Sequence, residues 1–433
     1  MRKSTLMEKV TRRTISSSSF FLCFFIFSSS ILFLAGKSAA KVSYDGDNDD
    51  NVTALFIFGD SFLDAGNNNY INTTTLDQAN FPPYGQTFFG LPTGRFSDGR
   101  LISDFIAEYA KLPLIPPFLE PGDSQKKLCG VNFASAGAGA LVETFQGSKI
   151  SMKKICHEGS DSILSSSNTN STYVYLLFVV HTRHMEVISL RTQLDHYKKV
   201  ERLWRIKFGK EESKKRISRA VYLISIGSND YSSPFLTNQS LSFSMSQHVD
   251  IVIGNLTTFI HEIYKIGGRK FGFLNVPDLG CFPALRILKQ KNDSCLRDAS
   301  ILASIHNKAL SNLLFKMQRQ VKGFKFSLFD MNKSLKLRMD HPSKFGNCVL
   351  WFKEGEEACC GTGKWRGVFS CGGKRIVKEY KLCENPDDYI FWDSLHLTQN
   401  AYKQFANLIW NGGHMSDSLV VGPYNINRLF QIS

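Results

Sequence analysis

Residues 54–70 read ALFIFGDSFLDAGNNNY, and the change of character midway through this stretch decides the fold. The apolar run at 54–58 has the length of a buried strand. Gly59, Asp60 and Ser61 follow at once, so a serine with small neighbours stands on the turn that leaves the strand. The same pattern recurs along the chain. Apolar runs at 131–134, 220–226, 270–276 and 325–330 also have strand length. Between them lie residues of helical spacing: Leu190, Leu194, Tyr197, Val200 and Trp204; then Val249, Val252, Leu256, Phe259 and Ile263; then Ile301, Ile305, Ala309 and Leu313. Gly267 and Gly268 stop one helix, Gly323 stops another, and residues 397–410 read as a last amphipathic helix ended by Gly412 and Gly413. Strands alternating with crossover helices predict an α/β class, a three-layer α/β/α sandwich with a central parallel sheet.

In such a sheet the loops leaving the carboxyl ends of the strands share one rim, and ligands bind in the crevice there. The first loop presents Ser61. The second, Ser135-Ala-Gly-Ala-Gly139, lacks side chains that would keep a ligand from the main chain, so Gly137 offers its amide. The third, Gly227-Ser-Asn-Asp230, puts a neutral amide donor, Asn229, in the same row. A serine is a weak nucleophile until a base takes its proton, and that base needs an orienting carboxylate. Asp393 and His396, three residues apart just before the final helix, supply both.

Each fragment alone is ordinary. A Gly-Asp-Ser tripeptide is a turn, Gly-Ser-Asn-Asp is another, and His261 and His306 on expected helices read as surface or packed residues. Gly137 and Gly139 resemble a dinucleotide-binding turn, but the third glycine of that fingerprint is replaced by Val142. H-E-x-x-H, Walker and G-x-S-x-G patterns are absent. The weight rests on three donors following three strands in order, closed by an Asp-x-x-His pair.

Of the 433 residues 43% are hydrophobic and 21% charged, which excludes a disordered solvating chain. The formal charge of +14 includes +5 from residues 1–40, and the remaining basic residues are dispersed. Their densest group, Lys198 to Arg216, lies on an expected helix and the loop after it, a solvated face and not a nucleic-acid footprint. Residues 1–40 have a basic start, an apolar stretch at 20–35 and small residues Ser38, Ala39 and Ala40, as in a cleaved secretory signal. Residues 41–433 then form one domain with no stable transmembrane segment. Sequons begin at Asn51, Asn72, Asn170, Asn238, Asn255, Asn292 and Asn332, each a glycan acceptor if exposed. Beyond the leader nine cysteines remain, spaced for disulfides of undetermined connectivity rather than for zinc, with an odd thiol left over.

Four blocks in order, FIFGDSFLDAGNNNY (56–70), GVNFASAGAGAL (130–141), IGSND (226–230) and DSLHLT (393–398), resemble the secreted plant branch of the GDSL esterase/lipase family within the SGNH hydrolase superfamily. The stretches at 82–109 and 267–281 add to the resemblance, which runs from about residue 54 to the end of the chain. It implies a flavodoxin-like fold and hydrolysis of carboxylic esters, small or acyl-lipid, without metal or organic cofactor. It implies Ser61 as nucleophile and first oxyanion donor, Gly137 and Asn229 as further donors, His396 as base and Asp393 as its partner. An extracellular site of action, apoplast or cell wall, and a tie to plant defence are implied in the same way.

Two stretches depart from the family pattern. Residues 149–186 interrupt a run that is continuous when Gly147-Ser148 is joined to Val187-Ile188, and residues 347–351 form a second surplus. Both read as retained intron or misplaced splice sequence, contributing Cys156 and Cys348. The longer one begins soon after the Gly137 turn, which sets up the rival expectation: a catalytically impaired secreted glycoprotein that acts by binding.

Overall fold

Each of the five apolar runs forms a strand of one sheet. Numbering the strands of this sheet alone, these are β1 (Leu55–Gly59), β2 (Gly130–Asn132), β3 (Val221–Ser225), β4 (Lys270–Leu274) and β5 (Lys325–Phe329). The computed structural model describes residues 53–122, 126–145, 151–152, 178–179, 186–289, 294–344, 352–415 and 418–432. The strand order is β2-β1-β3-β4-β5, all parallel, and a short β6 (Val421–Pro423) adds antiparallel to β5. Leu55 lies opposite both Gly130 and Val221, so β1, β2 and β3 start level and their carboxyl ends open onto one rim. The chain reverses its direction of growth at β1, which makes the β1/β3 crevice the switch point where open α/β sheets bind ligands.

Helices cover both faces. They are α1 (Ile102–Tyr109), α2 (Leu190–Phe208), α3 (Lys210–Arg219), α4 (Ser228–Leu236), α5 (Met245–Ile266), α6 (Arg297–Gln320), α7 (Met331–Asp340), α8 (Gln399–Asn411) and α9 (Ile426–Gln431). Strand β5 shows the layering. Phe326 and Phe329, three residues apart, point to opposite faces, where Phe326 meets Phe315 of α6 at 5.2 Å and Phe329 meets Phe405 of α8 at 5.6 Å between ring centres. The main core joins both layers through the sheet. A second, smaller cluster of Phe81, Tyr84, Phe96, Trp392 and four cysteines lies apart from it.

The basic stretch after α2 is not a loop. It forms α3, beginning after Gly209, whose φ of +77° turns the chain between the two helices. Glu211 and Glu212 stand in its first turn, and Glu212 pairs with Arg216 at 3.0 Å, an i,i+4 contact that supports a helix otherwise crowded with like charge. Short pairings missing from the sequence reading include Glu354–Ala358 with Tyr389–Phe391, a parallel pair outside the main sheet. Within 149–186, Ser151–Met152 pairs antiparallel with Phe178–Val179. Most of 149–186, all of 347–351, the leader 1–40, and Asn51, Asn170 and Asn292 lie outside the described residues.

Three disulfides resolve the connectivity left open above: Cys281–Cys295, Cys359–Cys383 and Cys360–Cys371. Cys129 is buried, and Cys156 and Cys348 lie outside the described residues. Asn72, Asn238 and Asn255 are exposed, whereas the Asn332 side-chain amide is half-buried and donates to the Val276 carbonyl at 3.1 Å. Among the described residues no helix is long and apolar enough to cross a membrane, and no cluster of His, Cys, Asp and Glu is arranged to hold a metal ion.

Candidate active site

The turn after β1 is held from behind. Gly59 has φ +140°, and a side chain there would collide with the Ser225 carbonyl of β3, so only glycine lets the two strands stay paired at this point. Gln193 of α2 brackets the same residue, accepting from the Gly59 amide at 2.9 Å and donating to its carbonyl at 2.8 Å. The Asp60 carbonyl then accepts from the amides of Leu63 and Asp64, and its carboxyl accepts from the Phe62 amide at 3.0 Å. Ser61 stands at the crest of this turn, 9% exposed.

The loop after β2 has little regular pairing of its own, and the two neighbouring loops supply its hydrogen bonds. Asp64 accepts from the Ala136 amide at 3.0 Å and from Gly66 and Asn67 at 2.7 Å each. The Asn67 side chain donates to Asn132 and Ala134 carbonyls, and that of Asn68 donates to Ala136. From the other side Asp230 accepts from Ala140 and Leu141 amides at 2.8 and 3.0 Å and from the Thr144 hydroxyl. These buried amides would otherwise lie unpaired away from water, which explains two buried acids beside the rim. Gly137 at φ +80° sits between the clamps. Asn229 donates one side-chain N–H to the Ala138 carbonyl at 2.9 Å and keeps a second N–H. Among the described residues neither the Ser61 nor the Gly137 amide donates a hydrogen bond.

Asp393 and His396 share a tight loop whose ends are tied together by Trp392 N–H to His396 O at 2.8 Å and Thr398 N–H to Ile390 O at 3.0 Å. Asp393 Oδ1 accepts from the amides of Leu395 and His396 at 2.9 and 2.8 Å. Nδ1 of His396 lies 2.8 Å from Asp393 Oδ1, and Nε2 lies 2.8 Å from Ser61 Oγ. The ring is walled by Phe96 at 4.5 Å, Phe62 at 6.0 Å and Phe369 at 6.3 Å between centres. Burial pushes the Asp393 carboxyl up, but the imidazole charge and the hydrogen bonds from His396, Tyr84 and Leu395 outweigh it and hold the group below its ordinary range.

Of the five residues singled out from the sequence, Ser61, Gly137, Asp393 and His396 lie on loops, Asn229 stands in the first turn of α4 directly after β3 rather than on a loop, and Ser61, His396 and Asp393 are in hydrogen-bonding contact. His306 lies elsewhere. It is buried behind Gly227, bonded through Nδ1 to the Tyr231 hydroxyl at 2.7 Å, and burial lowers its pKa to about 3. Two residues were missed. The Tyr84 hydroxyl donates to Asp393 Oδ2 at 2.7 Å, and Arg375 Nη2 donates to the Tyr84 oxygen at 3.0 Å. A Pro-Pro-Tyr turn and an arginine after two glycines bear no spacing to the Asp-x-x-His pair, so no sequence signal joined them.

The fold is a doubly wound α/β sandwich that carries a hydroxyl–imidazole–carboxylate line at its switch point. The family described as GDSL-like Lipase/Acylhydrolase matches residues 55–409, and the chain belongs to it. It is a carboxylic ester hydrolase. The chain is 81% identical over 433 residues to GDSL esterase/lipase 5 of Arabidopsis thaliana, covering 100% of both. It is 47% identical to GDSL esterase/lipase 1 of the same plant over 88% of this chain and 91% of that one. It is also 33% identical to that plant's inactive GDSL esterase/lipase-like protein 25, over 87% of this chain and 74% of that one.

Proposed function

We propose that the chain is a secreted serine esterase acting on small or acyl-lipid esters. His396 Nε2 takes the proton as Ser61 Oγ attacks the ester carbonyl, and Asp393 orients and stabilises the imidazolium. The amides of Ser61 and Gly137 and the second N–H of Asn229 receive the developing oxyanion. His396 returns the proton to the departing alcohol, and water, activated by the same base, frees the acid from Ser61. The observation that supports this reading is the unbroken line from Ser61 Oγ through His396 to Asp393, with 2.8 Å at each step. Three disulfides, the leader-like residues 1–40 and the exposed sequons Asn72, Asn238 and Asn255 support a secretory route.

The impaired alternative rests on where the excursion joins the chain: its last residue, 186, directly precedes Val187, whose Cγ2 lies 3.3 Å from where a side chain on Gly137 would begin. A fluorophosphonate probe separates the two readings. Labelling of Ser61, absent in Ser61→Ala, together with turnover of p-nitrophenyl esters supports the esterase, and the chain length turned over fastest names the acyl class. Folded protein that neither labels nor turns over supports a binding role.

A further inference from the structure

Arg375 is fully buried, with 0% of its surface exposed, among aromatic rings: Phe369 at 4.1 Å, Phe81 at 4.9 Å and Phe96 at 5.9 Å from its Cζ. A guanidinium keeps its charge in any protein and only donates hydrogen bonds. That fixes the polarity of the contacts around Tyr84. The hydroxyl oxygen must accept from Arg375, so its single proton goes to Asp393. Arg375 Nε and Nη1 have no partner among the described residues. Such a desolvated, half-satisfied cation is costly to keep in a core, and a hydrophobic side chain would fill the place more cheaply.

The scaffold nevertheless holds it firmly. Arg375 lies between Cys371 and Cys383, which are bonded to the adjacent Cys360 and Cys359. The amides of Cys359 and Cys360 in turn donate to Phe391 and Trp392 carbonyls at 2.8 and 2.7 Å, the strand that delivers Asp393. One cysteine pair therefore anchors both ends of the contact chain.

We propose that Arg375, acting through Tyr84, is a positioning residue for the Ser61–His396–Asp393 line, fixing the Asp393 carboxylate and opposing its pull on the His396 proton. This rests on the esterase reading above for its catalytic consequence, but not for its electrostatic one. A carboxylate beside an imidazole favours imidazolium, and a cation behind the carboxylate opposes it. Of the other titratable groups here, Tyr402 lies near Asp393 and also near Asp60 and Asp98, and Asp77 faces Arg375. Burial raises Asp77 to about 7 even with Arg375 opposing, so it neutralises the guanidinium only in part at neutral pH.

The test is the titration of His396 followed by NMR in the full, disulfide-bonded chain with labelled histidine, the signal being assigned by its loss in His396→Gln. A unit charge roughly 10 Å away at an effective dielectric of ~20 moves an ionisation by about one pH unit. Arg375→Gln should therefore raise the His396 midpoint by about that much, and Tyr84→Phe should raise it too. The acid limb of kcat/KM should move with the NMR midpoint, and kcat should fall roughly 10- to 100-fold in Tyr84→Phe with KM little changed. A His396 midpoint unmoved in both Arg375→Gln and Tyr84→Phe overturns the proposal. Should Arg375→Gln not fold, Tyr84→Phe alone decides it. A wild type without turnover refutes the esterase reading, while the NMR midpoints still judge this one.

Discussion

Replacing Gly137 by alanine separates the catalytic task proposed for the β2 loop from its structural one. At φ +80° an L side chain costs about 1–2 kcal/mol. The added methyl would lie 2.9 Å from Asp77 Oδ1 and 3.3 Å from Val187 Cγ2, too close for contact with the first. Asp77 is buried and has little freedom to retreat, so the turn gives way instead, with an overpacking cost of about 1–3 kcal/mol. At ~2.1 cal/mol/K of unfolding entropy per residue, each kcal/mol displaces the midpoint of a chain this long by about 1 °C, and Tm should fall roughly 2–5 °C. The kinetic effect is larger. Moving one oxyanion donor off its mark typically lowers kcat ~100- to 1000-fold. Thermal unfolding and kcat on a p-nitrophenyl ester, measured on one preparation, check both numbers. A folded Gly137→Ala protein with wild-type kcat would refute the assignment of that amide.

Asn229→Ala should lose a similar ~100- to 1000-fold in kcat while remaining folded, since its side chain makes one hydrogen bond among the described residues; unchanged turnover would remove it from the oxyanion site. Burial raises both Asp60 and Asp77 to about 7, above the 3.8 of a free carboxyl. Their protonated forms support the fold, so that support is complete below about pH 4 and is lost as pH rises through 7. Tm should fall between pH 5 and 8, and less steeply in Asp60→Asn, which still accepts from the Phe62 amide; a Tm that climbs over that span contradicts this. Removing the Cys360–Cys371 bridge by paired Cys→Ser substitution opens a link of sequence separation 11, worth about 3 kcal/mol in the chain-entropy account. Turnover should drop as well, because the Cys360 amide holds the Trp392 carbonyl next to Asp393. Full kcat at a lowered Tm would show the bridge to be structural alone.

The parallel strands were legible because burial on both faces writes itself as an unbroken apolar run, as in 54–58 and 220–226. Strand β6 was not, since three residues ending in Pro423 at a sheet edge carry no such signature. Glu354–Ala358 reads as polar and becomes a strand only by pairing with Tyr389–Phe391. At the site, the loops after β1, β2 and β3 and the Asp-x-x-His pair were legible because the chemistry needs those residue types in that order. Tyr84 and Arg375 were hidden because Tyr84 stands 309 positions from Asp393 and 291 from Arg375, and the contacts that join them exist only through burial. The loop clamps Asp64 and Asp230 stood inside the quoted blocks, but their acceptor role emerges only once the amides of the β2 loop need partners.

Ser61 and His396 are separated by 335 positions, and the histidine hairpin is seated by elements from the last quarter of the chain. During synthesis the sheet can assemble from its amino-terminal strands while the base is still unmade. On the esterase reading, competence for hydrolysis would then switch on only after the tail has closed, and a carboxyl-truncated chain lacking His396 should not label with a fluorophosphonate.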